Sequence, residues 1–209
     1  MEVNVTVAAF DVDNTLTVRD CVVPFMRSVS GTSRIVKLLL SDLGGTLQSL
    51  RRRDRDSLKA KFVEGVFSGK DARDIDALGI EFATRVADGW LRNDVASRMR
   101  WHQDQGHVVI LVSASLGAYL HPLGDLLEVD AVLCTELEEI NGLLTGKLAG
   151  NNCRGEEKAS RVTKWCEDSG IALGDLVYAY GDSTGDKELL ELFSEPTWVN
   201  DIDLVVMAA

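Results

Sequence analysis

Short apolar runs along the chain predict buried β-strands. These runs occupy residues 5–10, 107–112, 131–134, 176–180 and 197–199. They are apolar and mostly β-branched, which is typical of strands that are buried on both faces of a sheet. Apolar residues at helical spacing fill the segments between the later runs, for example at 155–169 and 184–193. Strands that alternate with helices in this way predict an α/β fold built on a doubly wound parallel sheet.

The interval from residue 19 to residue 100 shows helical periodicity and contains no strand-like run. Its two apolar stripes are formed by Leu58, Phe62 and Val66 and by Ile75, Leu78, Phe82, Val86 and Trp90. Gly44–Gly45 and the SGKD segment from Ser68 are typical helix ends. We therefore predict an all-helical cap at 19–100, inserted into a core domain of residues 1–18 and 101–209. Ligands of open α/β sheets bind at the carboxyl ends of the strands, so a cap in this position would cover the site.

Composition and charge narrow the class of ligand. The chain has 209 residues, of which 45% are hydrophobic, and a formal net charge of -11. Binding to nucleic acid or to an anionic membrane requires a basic surface, so this charge argues against both. No apolar run approaches the roughly 18 residues of a membrane-spanning helix. The N-terminus shows no basic leader, and we expect a cytoplasmic protein whose ligands are small molecules.

The four cysteines, Cys21, Cys134, Cys153 and Cys166, are widely scattered along the chain. They contain no CxxC pair, so their spacing indicates neither a zinc site nor a redox dithiol. We expect buried, reduced thiols.

Two aspartates follow the first predicted strand, in the segment DVDNT. Asp11 and Asp13 are two residues apart, and their like charges repel each other. A simple turn would explain them, because Asp favours turn geometry. A calcium-binding loop would not, because its twelve-residue pattern requires Gly at Leu16 and Glu at Val22.

Serines and charged residues stand at the other strand ends and helix starts. Ser113 follows the second predicted strand, and Ser115 is better placed to cap the helix after it. A serine-hydrolase reading of SASLG fails, because a catalytic histidine would have to follow far downstream and His121 is the last one. Lys158 lies beside an apolar helix stripe, where snorkelling of the side chain would explain it and a buried anion would explain it better. The segment GDSTGD adds Asp182 and Asp186 after the strand at 176–180.

Taken in order, DVDNT, Ser113, Lys158 and GDSTGD resemble the four motifs of the haloacid dehalogenase superfamily of phosphohydrolases. The resemblance covers essentially the whole chain and is closest to the helical-cap branch that includes phosphoserine phosphatase, with a Rossmann-like core. A dehalogenase of the superfamily fits less well, because those enzymes lack the second aspartate of the first motif and need no metal. The resemblance implies a phosphatase that acts on a small phosphorylated metabolite.

The resemblance also implies a role for each motif residue. Asp11 would be the nucleophile and Asp13 the general acid and base, while Ser113 and Lys158 would bind the phosphoryl group. Asp182 would bind magnesium, with Asp186 as its support. Electrostatics favours the same cofactor, because four converging carboxylates repel one another by about 1 to 4 kcal/mol per pair and one lysine does not offset this. Mg²⁺ prefers such oxygen ligands, and we predict Asp11, Asp182 and the backbone carbonyl of Asp13 as its ligands.

The cap is expected to select the substrate. In phosphoserine phosphatases an acidic residue after the first motif holds the substrate amino group, and Asp20 stands at that place. A cap arginine holds the carboxylate there, and Lys61 aligns with it, although lysine lacks the bidentate fork of arginine. The RRRDRD run from Arg51 to Asp56 is typical of a solvated turn. These features predict a small phosphomonoester without defining its alcohol.

Two alternatives use the same phosphoryl pocket. A receiver-like regulatory module would bind or accept a phosphoryl group without turnover, but it needs neither a helical cap nor the acid Asp13. A phosphotransferase would pass the phosphoryl group from Asp11 to an alcohol instead of to water. The sequence does not separate phosphotransfer from hydrolysis.

Overall fold

The structure is a computed structural model that describes residues 5–41 and 55–200. A five-stranded sheet has the order β3-β2-β1-β6-β7, and every neighbouring pair is parallel. Its strands are β1 (Val7–Phe10), β2 (Val108–Leu116), β3 (Ala131–Thr135), β6 (Leu176–Gly181) and β7 (Glu195–Trp198). Strands β4 (Leu137–Ile140) and β5 (Leu143–Leu148) form a separate antiparallel hairpin. The predicted α/β fold with a parallel sheet is thereby confirmed.

Helices fill the intervals between the strands. They are α1 (Val22–Ser30), α2 (Thr32–Ser41), α3 (Arg55–Phe67), α4 (Ala72–Gly89), α5 (Asn93–Asp104), α6 (Gly117–Leu126), α7 (Glu156–Ser169) and α8 (Lys187–Glu191), with a 3₁₀ turn at Leu173–Asp175. In the part of the chain that the structure describes, no helix has both the length and the apolar composition needed to cross a membrane.

Both faces of the sheet are buried, because successive side chains of a strand point to opposite sides. Along β1, Val7 and Ala9 belong to one hydrophobic cluster, and Ala8 and Phe10 belong to the other. The chain builds the sheet outward from β1 in one direction and then returns to add β6 and β7 on the other side. The crevice between the carboxyl ends of β1 and β6 is therefore the topological switch point, where ligands of such sheets bind.

The described part of the predicted cap, residues 19–41 and 55–100, contains helices and turns and no strand of the sheet. Helix α5 crosses the predicted boundary at residue 100, and its His102 packs on Phe10 and Tyr180 of the sheet. The division into core and cap stays a prediction, and α5 is better counted with the core. The predicted helix end at Gly44–Gly45 and most of the RRRDRD run lie outside the described residues.

The β4–β5 hairpin was missed in the sequence, although its turn carries a clear signal. Asn141 and Gly142 have φ values of 54° and 82°. Asn-Gly is the preferred pair for a two-residue hairpin turn, because both central residues need positive φ. Gly146 of β5 also has positive φ, and a Cβ there would lie 2.9 Å from Ser68 Cβ and 3.0 Å from Glu64 Cα. The hairpin therefore packs tightly against the end of α3, on the cap.

A glycine also sets the contact between the cap and α6. A Cβ added to Gly79 in α4 would lie 1.9 Å from the carbonyl oxygen of Ala118 at the start of α6. Backbone cannot move aside as a side-chain tip can, so only glycine allows the two helices to lie this close. The start of α6 closely follows Ser113 and Ser115, so this contact joins α4 of the predicted cap to the carboxyl end of β2.

A neutral histidine lies inside the core between α5 and the sheet. His102 is fully buried, its Nε2 lies 2.9 Å from the Tyr180 hydroxyl, and its Nδ1 lies 2.8 Å from His107 Nδ1. Burial, followed by the nearby His107 and Arg98, lowers the pKa of His102 to about 3 from 6.5. The unfolded chain therefore binds a proton between these two pH values that the folded protein does not bind.

We expect acid lability from His102. Its contribution to stability is fully present above pH 6.5 and is lost at about 1.4 kcal/mol per pH unit as the pH falls below that value. Buried carboxyl groups with raised pKa values, such as Asp11 and Asp13, act in the opposite direction, so the His102 contribution is measured as a difference between two proteins. In urea unfolding at about pH 7 and about pH 5, His102→Gln should gain stability relative to the wild type as the pH falls. His121→Gln is the control: Glu136 raises the pKa of His121, so its stabilising contribution is largest at low pH and its loss should steepen the decline. An unchanged slope in His102→Gln would assign the acid lability to other groups.

Candidate active site

The loop after β1 presents its first aspartate at the switch point. The N–H of Asp11 donates to the carbonyl of Tyr180 in β6, at 2.9 Å, which fixes the residue between β1 and β6. The loop then turns sharply, with Asn14 at φ 62°, and closes where the Thr17 N–H donates to the Val12 carbonyl at 2.9 Å. Asn adopts this left-handed backbone more readily than most residues. DVDNT is thus a tight loop that holds Asp11 and Asp13 at one edge of the sheet.

A buried lysine lies between two aspartates from different strand ends. Lys158 in α7 is 1% exposed, and its Nζ lies 2.6 Å from Asp11 Oδ1 and 2.6 Å from Asp186 Oδ1. The lysine therefore has two buried anionic partners, which agrees with the expectation that a buried anion explains its position better than snorkelling does. The other oxygen of Asp186 accepts bonds from the N–H and hydroxyl of Ser183, at 3.0 and 3.1 Å, and a long one from the N–H of Asp182, at 3.3 Å. Asp186 thus supports both Lys158 and the GDSTGD loop.

The pKa values reflect this crowding of charge. Burial raises the pKa of Asp11 to about 7, with Asp186 adding to the rise and Lys158 opposing it. Burial alone would lower the pKa of Lys158, but the carboxylates of Asp11 and Asp186 raise it, so the ammonium stays charged. Burial and Asp186 also raise the pKa of Asp182. One lysine leaves an excess of buried negative charge, which a cation would balance.

Asp13 is held separately from the buried triad of Lys158, Asp11 and Asp186. Its Oδ1 accepts the N–H of Cys21 at 2.8 Å, and its Oδ2 accepts a short hydrogen bond from the hydroxyl of Ser115. The Tyr119 hydroxyl in turn donates to Ser115 Oγ at 2.6 Å. Burial, and then repulsion from Asp20, raises the pKa of Asp13 to about 6, while the Ser115 bond lowers it. A carboxyl with a pKa near neutrality is suited to give and take a proton.

Ser115 is the residue that sequence reasoning misplaced. The sequence assigned it to capping the next helix, but that helix has Leu116 as its N-cap residue and no side-chain cap. Strand β2 continues past the predicted end at residue 112 as far as Leu116, with a register shift against β3 between Val112 and Leu116. The irregular strand end directs Ser115 toward Asp13, and no local signal in the sequence reports this.

One cavity of about 140 Å³ lies at the carboxyl end of the sheet, and all the predicted motif residues line it. Its lining includes Asp11, Asp13, Asp20, Ser113, Arg154, Lys158, Asp182 and Asp186. Ser113 is 1% exposed, and its Oγ accepts the N–H of Ser115 at 3.1 Å. Segments that are up to 175 positions apart in the sequence are thus brought together, as the strand-end argument predicts.

A second cavity of about 290 Å³ adjoins the first and shares Asp13, Asp20, Ala114 and Arg154 with it. Its other lining residues are the apolar Val22, Val23, Met26 and Phe62 together with Lys59 and Asn152. Asp20 is exposed at the junction, and one of its oxygens also accepts the N–H of Val23 at 3.2 Å.

The lysine that reaches the second cavity is Lys59 and not the expected Lys61. Lys59 Nζ donates to Asn152 Oδ1 at 2.6 Å and to the carbonyl of Ala114. Lys61 is exposed and does not line the cavity. Two positions along a helix correspond to about 200° of rotation, so the two lysines project on nearly opposite sides. Arg154, which the sequence did not single out, contributes a second cation to this region.

The donor set suits a hard divalent cation. Asp11, Asp182 and Asp186 offer carboxylate oxygens within 4.8 Å of one another. Carboxylate and carbonyl oxygens are the ligands that Mg²⁺ prefers, and the excess negative charge at the site favours it. Both oxygens of Asp13 are engaged by Cys21 and Ser115, which leaves its backbone carbonyl as the group it could offer. Asp186 already binds Lys158 and Ser183, which suits a supporting role better than direct ligation.

Known proteins are similar to this chain in sequence and in fold. The chain is 32% identical to Protein CicA of Caulobacter vibrioides over 188 residues, which cover 90% of this chain and 82% of that protein. It is 25% identical to a phosphoserine phosphatase of a Polaromonas species, over 87% of this chain and 73% of that protein. A crystal structure of a Bordetella pertussis protein of unknown function has the same fold, with a TM-score of 0.70, 24% identity, and coverage of 92% of this chain and 89% of that one.

The family assignment follows from the match along the chain. A sequence model of the haloacid dehalogenase-like hydrolases matches residues 8–191, a span that begins in β1 and ends in α8. That span contains all four motifs that converge at the switch point, and the resemblance noted in the sequence is confirmed. The chain therefore belongs to the haloacid dehalogenase-like hydrolase family.

Proposed function

We propose that this protein is a magnesium-dependent phosphomonoesterase that acts through a phosphorylated Asp11. The observation that carries the proposal is the arrangement of Asp11 and Asp13 around one small polar cavity. Asp11 is fixed by buried Lys158, with Ser113 beside it in the cavity lining, while Asp13 has its own partners and a pKa near neutrality. A nucleophile and a separate acid–base group are what a two-step phosphoryl transfer needs.

In the first step, a carboxylate oxygen of Asp11 forms a bond to phosphorus while the bond from phosphorus to the substrate oxygen breaks. Asp13, initially protonated, gives its proton to the departing alkoxide. In the second step, Asp13 takes a proton from water, the water oxygen bonds to phosphorus, and the bond to Asp11 breaks. Phosphate leaves, and both aspartates return to their initial state. Lys158 and Ser113 stabilise the charge on the phosphoryl oxygens through both steps.

Magnesium would be held by Asp11 and Asp182 together with the backbone carbonyl of Asp13. When bound, it supplies the positive charge that allows carboxylates and a phosphate dianion to share one cavity. It also favours the carboxylate form of Asp11, against the burial that raises its pKa. Asp186 keeps Lys158 and the GDSTGD loop in position from behind.

The alcohol portion of the substrate would occupy the second cavity. The apolar wall formed by Val22, Val23, Met26 and Phe62 favours an ester with an apolar portion. Asp20 would attract an amino group, and Lys59 or Arg154 an anionic group, which replaces the expected role of Lys61. This wall is a reason to test esters less polar than phosphoserine.

The experiment that tests the proposal is phosphate release from a panel of phosphomonoesters, with and without Mg²⁺ and with EDTA as a control. The panel includes phosphoserine, phosphoethanolamine, a sugar phosphate and an aryl phosphate. Release that requires Mg²⁺ supports the proposal, and the ranking reports what the second cavity selects. Adding acceptor alcohols separates hydrolysis from phosphotransfer, because a phosphotransferase would yield new esters. Absence of release from every ester by folded, Mg²⁺-binding protein would favour a regulatory phosphoryl-binding module.

Ser115 gives a prediction about pH dependence. Its hydroxyl stabilises the carboxylate form of Asp13, so Ser115→Ala should raise the pKa of Asp13 above its present value of about 6. Because Asp13 must be protonated in the free enzyme to act as the acid, the alkaline limb of kcat/KM should shift to higher pH, and kcat should fall roughly tenfold through poorer positioning.

A matched control is Ser194→Ala, because that hydroxyl bonds the carbonyl of Leu176 at the opposite end of β6. Its pH profile should equal that of the wild type. A Ser115→Ala enzyme with an unshifted profile would show that Asp13 is not the group whose protonation limits the reaction.

A further inference from the structure

A second cluster of metal-ligating side chains lies outside the phosphoryl site. Within the described ranges 5–41 and 55–200, His121, Cys134 and Glu136 bring together one nitrogen, one sulfur and one oxygen donor atom. His121 Nε2 lies 2.8 Å from Glu136 Oε1, Cys134 Sγ lies 3.1 Å from the same oxygen, and the sulfur and the nitrogen are 3.7 Å apart. Three different donor types thus form one compact triangle.

The triangle is close to the size that a tetrahedral ion requires. With metal–sulfur bonds of about 2.3 Å and metal–nitrogen or metal–oxygen bonds of about 2.0 to 2.1 Å, neighbouring ligand atoms are about 3.4 to 3.6 Å apart. The sulfur–nitrogen distance of 3.7 Å already meets this size. The two contacts of Glu136, at 2.8 and 3.1 Å, need to lengthen by only about 0.5 Å, which a rotation of the glutamate side chain provides.

Rigid elements present the donors. His121 lies in the second turn of α6, Cys134 is in β3, and Glu136 directly follows that strand. Cys134 is 2% exposed, whereas the side chains of His121 and Glu136 are 52% and 43% exposed. The buried thiol and its exposed neighbours leave an entry path for an ion. Glu136 also lines two surface cavities, of about 150 and 420 Å³, which would admit the water that completes an open coordination shell.

The charge around the cluster favours a cation. Asp76 and Glu139 line the smaller cavity together with Glu136. Burial and repulsion from Glu139 raise the pKa of Asp76, which indicates uncompensated negative charge there. Arg161 opposes a cation from the other side, where it bonds the carbonyl of Cys134 and pairs with Glu157 at 2.8 Å. The acidic side chains outnumber this single guanidinium.

We propose that His121, Cys134 and Glu136 form a second metal site, for a zinc-type transition-metal ion. Sulfur and imidazole donors select such ions and disfavour Mg²⁺, which prefers oxygen ligands. The proposed site is therefore chemically distinct from the all-carboxylate set of Asp11, Asp182 and Asp186. It also departs from the sequence expectation, because its ligands lack the paired-cysteine spacing by which zinc sites are recognised.

Metal binding at this site would release protons. The thiol of Cys134 donates to Glu136 Oε1, so the proton has an acceptor at hand before it passes to the buffer. A sulfur–metal bond forms as the sulfur–hydrogen bond breaks, with no change of oxidation state. His121 would bind through Nε2 as a neutral imidazole that carries its proton on Nδ1: an imidazolium releases its Nε2 proton to the buffer, and a neutral Nε2–H tautomer shifts that proton to Nδ1 through solvent.

Metal binding at this site would also stabilise the strand ends that border the second cavity. Thr135 lies between Cys134 and Glu136, and its hydroxyl is 2.9 Å from the carbonyl of Ala114 and 2.9 Å from Asn152 Oδ1. Ala114 and Asn152 also bind Lys59 in the second cavity. A metal that joins α6 to the end of β3 would therefore hold the strand ends on which this cavity rests.

The test uses Co²⁺ as a spectroscopic probe on the full chain, with Mg²⁺ in excess to saturate the carboxylate site. A thiolate-to-Co²⁺ charge-transfer band should grow to one equivalent, and Zn²⁺ should abolish it by displacement. The band should disappear in Cys134→Ser. It should persist in the control Cys166→Ser, because Cys166 is a buried thiol in α7 and does not belong to the cluster. His121→Gln should weaken Co²⁺ binding at least tenfold. Zn²⁺ should raise the Tm of the wild type and leave that of His121→Gln nearly unchanged.

Either of two results would overturn the proposal: absence of the band in the wild type, or a band that survives Cys134→Ser. If Cys134→Ser does not fold, His121→Gln decides the question, because its exposed side chain can be replaced without disturbing the core. Wild-type affinity and an unchanged Zn²⁺-induced Tm shift in His121→Gln would then exclude the site. None of these readouts depends on phosphatase activity, so they are independent of the proposed function.

Discussion

Replacing Asp11 by asparagine is expected to reduce phosphate release by at least about 10⁴-fold, the scale on which enzymes lose activity with their nucleophile. The amide is a poor nucleophile, and it does not form the phosphorylated intermediate. The fold should tolerate the change, because the buried Asp11 carboxylate is costly, as its raised pKa of about 7 indicates, and Lys158 keeps Asp186 as a partner. When the reaction is quenched with acid during turnover, the mass of the wild-type protein should include one added phosphoryl group, and the mass of the variant should not.

A conservative surface change provides the control. Asp168→Asn removes an exposed carboxylate that pairs with Lys164 one helical turn away, and it should leave both the activity and the phosphoryl adduct intact. Asp11→Asn that still acquires the phosphoryl group at the wild-type rate would disprove the assignment of the nucleophile. Full activity without any adduct in the wild type would instead indicate direct attack by water.

Replacing Lys158 by methionine is expected to affect both stability and activity. The variant leaves Asp11 and Asp186 buried and facing each other without their shared cation. Breaking a buried ion pair from one side typically costs about 3 to 5 kcal/mol. Phosphate release should also fall by about 10² to 10³-fold, because the positive charge that stabilises the phosphoryl oxygens is lost. Urea unfolding and steady-state kinetics measure the two effects on the same samples.

The stability defect should depend on pH and on metal. In the variant, Asp11 loses the ammonium that opposes the rise of its pKa, so the pKa of Asp11 moves further above its unfolded value and the folded state gains a proton and relative stability as the pH falls. The defect should therefore be largest near pH 8 and smaller near pH 5, and saturating Mg²⁺ should also reduce it. Lys164→Met in the same helix is the matched control, because its exposed pair with Asp168 is worth less than about 1 kcal/mol. A loss of stability in Lys158→Met that is no larger than the loss in Lys164→Met would show that the buried triad contributes little.

The main features of the fold could be predicted from local pattern alone. Apolar strand runs and helical stripes are properties of short segments, and strand alternation with helices implies a parallel sheet with its functional edge at the carboxyl ends. That single rule brings Asp11, Ser113 and Asp182 together before any coordinates are known. Lys158 could be picked out because it lies beside an apolar stripe, where a buried anion explains a lysine better than snorkelling does. The Asn141–Gly142 pair is an equally local signal, and it predicts the turn of the β4–β5 hairpin, which the apolar pattern alone does not.

The partners of individual side chains could not be predicted in this way. Ser115 binds Asp13 because β2 continues irregularly to Leu116, and a capping role was the better local reading. Lys59 reaches the second cavity in place of Lys61 because the docking of α3 decides which helix face points inward. The cluster of His121, Cys134 and Glu136 depends on the approach of α6 to the end of β3.

Three properties therefore follow from local sequence pattern: the class of fold, the edge of the sheet that carries the chemistry, and the charged residues that meet there. Periodicity and strand order follow from backbone geometry, which acts over short range and is the same in every protein. Packing in three dimensions determines which oxygen of Asp13 accepts the Ser115 bond, which lysine lines the second cavity, and which cysteine has a histidine for a neighbour. Those contacts depend on ångström-scale packing between segments far apart in the chain, and no local pattern encodes it.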